Sequence, residues 1–266
     1  MRAIPYIFVF LFCLFVKACS AQDKPNVKDV QASEIIETLD NGKDIYMTDC
    51  VIHGDLDFTA LKGRKNITRE ITSVYINNSL TFAGCTFAGK VKAFDENGVC
   101  IAFFEKNLTF TDCDFRDSVD FSNITVNDRA FVSGNTFRKD ADWKASQFRG
   151  SKTYFSGTKF ESGAFFQNCI FDDADFMNTS FGKSAMFQKV RAHNLMFGNS
   201  AFKEYADFTY CEIGKAVFNY CEFNRSDFSY SIFGSEPEIV GARFIRAPEF
   251  DNVSRFKYET QIYQPK

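Results

Sequence analysis

Residues 206–233 read ADFTYCEIGKAVFNYCEFNRSDFSYSIF, and a large apolar residue returns at every fifth position of this stretch. The recurring residues are Phe208, Ile213, Phe218, Phe223, Phe228 and Phe233. An α-helix repeats every 3.6 residues and a β-strand every two, so neither element alone explains the spacing. A fixed period of this kind indicates a repeat architecture.

The same unit extends well beyond this stretch. We call its large residue the centre; a small residue stands two positions before the centre, and a polar residue, often Asp, stands between them. The predicted centres outside the opening stretch are Phe110, Phe115, Phe121, Phe131, Phe137, Trp143, Phe148, Phe160, Phe166, Phe171, Phe176, Phe181, Phe187, Phe197, Phe202, Phe244 and Phe250, with one weak position at Ala192. The composition agrees, because the chain has 34 Phe and only 1 Trp.

The spacing within one unit predicts an extended segment followed by a turn. The small residue and the centre lie two apart, so in a strand both point to one face and the polar residue between them points away. The remaining two residues, rich in Asn and Gly, suit a turn because these types tolerate a positive φ. Repetition then winds the chain around a narrow axis lined by the centres. A register shift of one residue would bury Asp, so the register is strongly fixed.

The units ADF, SDF and CEF resemble the pentapeptide-repeat family, whose consensus is A-(D/N)-L-x-x, with Phe in place of Leu. The resemblance covers about residues 45–250. It implies a right-handed quadrilateral β-helix with four units per coil, and hence about ten coils and about 45–50 Å of height at the strand spacing. Some steps are six residues long, such as Phe115 to Phe121 and Phe202 to Phe208; we interpret them as bulges or wider corners.

The N-terminus is typical of an export signal. A short basic start precedes the apolar run 3–16, and the small residues of KACSAQ follow, so cleavage is expected after Ala21. Two alternatives stay open: an uncleaved membrane anchor, and a lipoprotein with lipid attached at Cys19. The predicted organisation is a signal peptide at 1–21, a linker and capping helix at 22–44, the all-β solenoid at 45–250 and a tail or cap at 251–266. Within these parts, residues 29–43 are predicted as the helix and 61–71 as a loop.

Seven cysteines follow the signal region, an odd number at irregular spacing. Six of them stand two residues before a bulky apolar residue: Cys50, Cys85, Cys113, Cys169, Cys211 and Cys221. This is the place of the small inward residue, and a free cysteine behaves as a small hydrophobic side chain. We therefore predict core thiols, and neither disulfides nor metal ligands.

No catalytic constellation is recognisable in the sequence. The two histidines, His53 and His193, are not spaced as metal ligands, and no phosphate-binding or nucleophile motif occurs. The repeat itself places Asp207, Glu212, Glu222 and Asp227 before their centres, as a ladder of outward carboxylates. The sequence predicts no enzyme, no catalytic residue, no metal and no cofactor.

Two functions are weighed. The first is a non-enzymatic exported scaffold of the bacterial periplasm or envelope, which binds an unknown protein partner and touches the membrane only through the signal or a lipid anchor. Its candidate surface residues are Tyr154, Tyr205, Tyr210, Tyr220 and Tyr230, although solvated corner residues would look the same. The alternative, known for some members of the family it resembles, is a DNA-mimicking inhibitor of a topoisomerase (gyrase). The export signal and a formal charge of only −3 speak against it, and the mildly acidic chain is not predicted to bind nucleic acid.

Overall fold

A computed structural model describes residues 28–95 and 99–255 and shows a β-solenoid of about ten turns with one short helix near its N-terminal end. The predicted all-β solenoid is thereby confirmed. Residues 1–27 lie outside the described residues, and with them the predicted signal peptide 1–21, the lipidation candidate Cys19 and part of the linker. Residues 256–266 of the predicted tail lie outside them as well.

The strands form two sheets in which nearly all neighbours are parallel. The first sheet holds β1 (Lys28–Gln31), β3 (Cys50–His53), β4 (Leu56–Asp57), β8 (Thr86–Phe87), β9 (Val91–Lys92), β13 (Asp114–Phe115), β14 (Val119–Asp120), β17 (Thr136–Phe137), β18 (Ala141–Asp142), β21 (Lys159–Phe160), β22 (Ala164–Phe165), β24 (Ser180–Phe181), β25 (Ala185–Met186), β27 (Ala201–Asp207), β29 (Glu222–Asp227) and β31 (Arg243–Phe244). The second sheet holds β2 (Ile45–Thr48), β5 (Lys65–Asn66), β6 (Thr72–Ile76), β7 (Leu80–Ala83), β10 (Phe94–Asp95), β11 (Cys100–Phe104), β12 (Leu108–Thr111), β15 (Thr125–Val126), β16 (Ala130–Phe131), β19 (Gln147–Phe148), β20 (Thr153–Tyr154), β23 (Ile170–Asp175), β26 (Arg191–Met196), β28 (Glu212–Val217) and β30 (Ile232–Phe233).

Each coil passes through both sheets and places four centres inside. We number the coils from Ile45, so that coil 2 begins at Leu80 and coil 3 at Leu108, the residues that pair with Ile45 and with each other. Equivalent centres lie directly above one another, as the register of Phe160 with Phe181 and of Phe181 with Phe202 shows. In this part of the chain one coil takes 21 residues.

Stacked rings fill the interior. One column holds Phe87, Phe115, Phe137, Phe160, Phe181, Phe202, Phe223 and Phe244, with successive ring centroids 4.6–5.3 Å apart and planes within 9° of parallel. Rings of neighbouring columns meet edge to face, as Phe187 does with Phe197. Each fully buried Phe contributes about 2–3 kcal/mol from burial, and each such ring pair adds about 0.5–1.5 kcal/mol.

One predicted centre is wrong, and three centres escaped the pattern. Phe131 is only half-buried and stacks outside the core against Tyr154, whereas its neighbour Val132 is fully buried in the inward position. Val126 and Phe155 are further centres. The errors arise because a Val centre leaves no aromatic signal and because the step from Phe148 to Phe155 is seven residues long. Ala192, the weak position, is an inward residue as expected.

Two of the four corners in each coil use a left-handed residue, as the Asn and Gly content of the turns predicts. One corner column holds Asn123, Ala145, Asn168, Lys189, Tyr210, Tyr230 and Asn252. The other holds Asp112, Gly134, Gly157, Asn178, Asn199, Tyr220 and Gly241. The six-residue step from Phe202 to Phe208 contains a register shift against the next coil, which confirms the bulge expected there.

The N-terminal end differs in two places from the expected order. The helix, α1, spans Ala32–Asp40 rather than 29–43, and residues 28–31 form β1 on the open edge of β3, where unpaired backbone groups of the first coil are available. The segment 61–71 is not wholly a loop, because β5 pairs antiparallel with β6. Helix α1 buries Ala32, Ile35 and Leu39 and packs against β1, β2 and β4, so it covers the first coil.

At the other end, backbone pairing continues slightly beyond residue 250. Ile232 forms an isolated parallel bridge with Ser254, so the regular winding reaches this residue. Within the described residues, no helix is both long enough and apolar enough to pass through a membrane.

Candidate binding surface

The small inward residues that follow a left-handed corner are hydrogen-bond donors. Ser200 Oγ donates to the carbonyl of Phe176 at 2.7 Å, and Cys211 Sγ donates to the carbonyl of Phe187 at 3.0 Å. Cys221 Sγ makes the equivalent bond to Phe197 at 2.8 Å. Each acceptor is a centre in the preceding coil, so a buried carbonyl that would otherwise lack a partner is satisfied.

The described cysteines are buried and free, which confirms the predicted core thiols. Their role is more specific than packing, because the donor position requires a polar hydrogen. Burial raises the pKa of Cys211 and of Cys221 to about 12, so both stay protonated and can donate. Thr179 and Ser231 fill the same position in other coils and donate to Phe155 and Phe208. Cys, Ser and Thr are therefore interchangeable here for a chemical reason.

A pair of buried serines tests this role. Ser200→Ala is expected to destabilise the fold by about 2–3 kcal/mol, because Ser200 Oγ also accepts from the Thr179 amide at 3.0 Å and both backbone groups would lose their partner. Ser226 is equally buried but its hydroxyl has no partner, so Ser226→Ala is expected to be neutral within about 0.5 kcal/mol. Urea denaturation of both variants measures the difference. Equal losses would contradict the assigned role.

The acidic residues before the centres serve the backbone as well. Asp207 Oδ1 accepts from the amide of Thr209 at 2.9 Å, and Asp227 Oδ1 accepts from the amide of Ser229 at 2.8 Å. Such bonds hold the chain in a tight turn after each centre. Asp207 is consequently buried rather than outward, which corrects the simple carboxylate ladder, whereas Glu222 and Glu212 are exposed.

Neither histidine belongs to an assembled site. His53 Nε2 lies 2.7 Å from Asp29 Oδ1 at the N-terminal end, and His193 Nδ1 lies 3.9 Å from Asp172 Oδ1 on a later coil. Both imidazoles are exposed. In the described part of the chain, no three His, Cys, Asp or Glu side chains are arranged as metal ligands.

Of the five candidate tyrosines, the structure brings two together. Tyr210 and Tyr230 stack at one corner with ring centroids 4.9 Å apart and planes 8° from parallel. Tyr220 lies at the opposite left-handed corner, and Tyr154 packs on Phe131. Tyr205 lies under the Arg225 guanidinium, and burial raises its pKa to about 12.

A shallow groove of about 330 Å³ adjoins the tyrosine stack on the same corner. It is lined by Gln167, Asn168, Gln188, Lys189, Thr209 and Tyr210. We call this groove together with Tyr230 the corner surface. The Oε1 atoms of Gln167 and Gln188 are buried and have no hydrogen-bond partner in the described protein, while Gln188 Nε2 donates to Asp207 at 2.6 Å. The corner surface thus combines an aromatic edge with two available acceptors.

Sequence reasoning missed the two glutamines. Each directly follows a centre, Phe166 or Phe187, and these centres are stacked at 5.0 Å in consecutive coils. The signal was present in the spacing, since Gln167 and Gln188 lie one coil apart, but it becomes meaningful only when the coil length of 21 residues is known.

The flat faces carry charges that neutralise one another between coils. Ion pairs link Asp114 with Arg138 at 2.7 Å, Glu204 with Lys183 at 2.6 Å and Glu238 with Lys215 at 2.7 Å. Two further pairs, Glu249 with Arg225 and Glu222 with Arg243, lie near the C-terminal end at 3.1 and 3.3 Å. Exposed pairs of this type contribute little stability, but they remove the continuous negative stripes that unpaired carboxylates would make.

Comparison with known proteins agrees with the geometry. A family model described as pentapeptide repeats (9 copies) matches residues 144–191, and no curated protein matches the chain. The matched segment contains Phe166, Phe171, Phe176, Phe181 and Phe187, which stand in the same stacked columns as the centres before and after it. The chain therefore belongs to the pentapeptide-repeat family.

Proposed function

We propose that this protein is an exported, non-enzymatic scaffold that binds a protein partner through the corner surface. The observation that carries the proposal is the pair Tyr210 and Tyr230, whose φ angles are +58° and +62°. A bulky residue in this conformation is disfavoured by about 1–2 kcal/mol, and Asn or Gly would fit at lower cost. Both rings are nevertheless presented to solvent, with 53% and 45% of their surface exposed.

The chemistry of the corner surface suits a polypeptide partner. Tyrosine offers a large rigid contact area with few rotatable bonds, and it is enriched among the residues that dominate binding energy. The amide oxygens of Gln167 and Gln188 would accept hydrogen bonds from N–H or O–H groups of the partner. The groove is built on stacked parallel strands, so little ordering is needed on binding.

The general character of the fold supports a binding role. Pentapeptide-repeat β-helices are generally structural or interaction proteins rather than catalysts. The inter-coil ion pairs also favour protein binding over the alternative of a DNA mimic that inhibits gyrase, because such mimicry requires uncompensated negative charge along a face.

The proposed location is the bacterial periplasm or cell envelope, reached through the export signal at 1–21. It is supported by the apolar run 3–16 with its basic start and small-residue end. Cell fractionation with an intact mass of the recovered protein distinguishes cleavage after Ala21, lipidation at Cys19 and retention as an anchor. Recovery of the uncleaved chain from the cytoplasm alone would contradict export.

The corner surface is tested with the double variant Tyr210→Asn/Tyr230→Asn. Folding stability is expected to stay within about 1 kcal/mol, since relief at two left-handed positions offsets the lost ring contact. Binding of envelope proteins to the full-length chain is expected to fall about tenfold or more. Quantitative co-purification of the same proteins by wild type and variant measures this loss.

Tyr220→Asn is the matched control. It makes the same change at a left-handed residue (φ +57°) on the opposite corner. It should leave co-purification unchanged. If wild type, double variant and control retain the same proteins in equal amounts, the corner surface is not the binding site.

A further inference from the structure

Three cysteines lie in one column at the N-terminal end of the solenoid. Cys50, Cys85 and Cys113 precede Ile52, Phe87 and Phe115, which are paired in register across coils 1, 2 and 3. The next coils carry Asn135 and Thr158 in this position. Cys50 Sγ lies only 3.3 Å from Cys85 Sγ, and both side chains are buried.

The backbone positions of Cys50 and Cys85 meet the requirements of a disulfide. They are register neighbours on parallel strands, whose spacing is about 4.8 Å, and both side chains point inward. Disulfides are found at Cα separations of about 4.4–6.8 Å, with sulfurs about 2.05 Å apart. Small rotations about the two Cα–Cβ bonds would bring the sulfurs from contact to bonding distance. We propose that Cys50 and Cys85 form a disulfide that ties coil 1 to coil 2 when the chain folds under oxidising conditions.

Hydrogen bonding within the column favours Cys85 as the attacking sulfur. The thiol of Cys113 donates to Cys85 and lowers the pKa of Cys85 to about 6, while burial raises the pKa of Cys50. The Cys85 thiolate attacks a small-molecule disulfide such as oxidised glutathione and releases one thiolate. Cys50, after losing its proton, then attacks Cys85 Sγ and displaces the second. The two cysteines lose two protons and two electrons, and the oxidant becomes two thiols.

Cys50 rather than Cys113 is the partner because of its place at the end of the solenoid. Above Cys50 lies only β1, where the exposed residue Lys28 is its register neighbour. Cys113 is covered on both sides: its Sγ donates to the carbonyl of Phe82 at 3.4 Å, and its amide donates to Asn135 Oδ1 at 2.8 Å. An oxidant therefore meets the Cys50–Cys85 pair first while coil 1 is docking.

The remaining column neighbours provide internal controls. Cys211 and Cys221 are buried like Cys50, but their Sγ atoms donate to carbonyls, and Ser231 and Ser200 are the nearest residues of their columns. A thiol with a serine neighbour cannot form a disulfide across the coils. The proposal thus predicts selective pairing among chemically equivalent buried thiols.

The experiment uses the full-length chain, unfolded with reductant and refolded in a buffer of reduced and oxidised glutathione. Free thiols are alkylated, and trypsin digestion without reduction places Cys50, Cys85 and Cys113 in the separate peptides 44–62, 70–90 and 107–116. We expect 44–62 joined to 70–90. The oxidised protein should also melt about 5 °C or more above the reduced one, because the bond closes a loop of 35 residues.

Two variants decide the specificity. Cys50→Ser should abolish both the linked peptide and the rise in melting temperature, and Cys211→Ser should leave both unchanged. The proposal is overturned if 44–62 and 70–90 are recovered alkylated from the refolded wild type, or if 70–90 is joined to 107–116 instead.

Discussion

Replacing Phe187 with alanine is expected to lower the free energy of unfolding by about 3–5 kcal/mol. Phe187 is fully buried, and its ring stacks between those of Phe166 and Phe208 at 5.0 Å on either side. It also meets the edges of Phe176 and Phe197 at 5.4 and 5.1 Å. The substitution removes contacts to four rings at once, and the parallel strands above and below cannot move inward to fill the cavity.

Phe131→Ala is the control, because Phe131 is half-buried and has a ring partner only in Tyr154 among the described contacts. Its expected cost is about 1 kcal/mol or less. Guanidinium denaturation followed by circular dichroism and by tyrosine fluorescence measures both variants. Similar losses for Phe187→Ala and Phe131→Ala would show that the stacked columns are not the main source of stability.

Introducing a carboxylate at Ala185 is expected to prevent folding. Ala185 is fully buried and stands in register between Ala164 and Ala206, so a charge there would have no partner and no space. Burying an unpaired charge costs several kcal/mol, which is comparable to the whole stability of many domains. Ala185→Asp should therefore be recovered as insoluble or unfolded protein, without the circular dichroism of a β-structure.

Met186→Asp is the matched control one residue further along the chain. Met186 is partly exposed, and the change recreates the Ala-Asp-Phe unit found natively at residues 206–208. It should fold with a stability within about 1 kcal/mol of the wild type. A folded Ala185→Asp, or a Met186→Asp that fails in the same way, would mean that the inward and outward positions are assigned to the wrong residues.

The architecture was predictable from sequence because one physical rule repeats along the chain. A large centre, a small residue two positions earlier and a polar residue between them determine which side of each strand is buried. The rule failed at Phe131, where an aromatic ring was preferred over the aliphatic Val132. Burial at a single position depends on the register of the adjacent coils, and this cannot be read from one unit. The same reason explains β1, which owes its extended form to the free edge of β3.

The corner surface was only partly predictable. The tyrosines were visible as candidates, but which of them meet depends on the coil length of 21 residues and on which corners are left-handed. Tyr210 and Tyr230 share a corner, whereas Tyr220, midway between them in sequence, lies on the opposite one. The hydrogen-bonding role of the inward Cys, Ser and Thr was also hidden, since their acceptors are carbonyls more than twenty residues away.

The constant coil length between Phe160 and Phe244 has a consequence for how such a chain can change in evolution. A duplication or loss of one whole coil returns every later side chain to its own column, so the core, both left-handed corners and the charged faces keep their alignment. The tower can therefore grow or shorten in steps of one strand spacing, about 4.8 Å. Its length is thus an adjustable quantity, independent of the chemistry displayed on its faces.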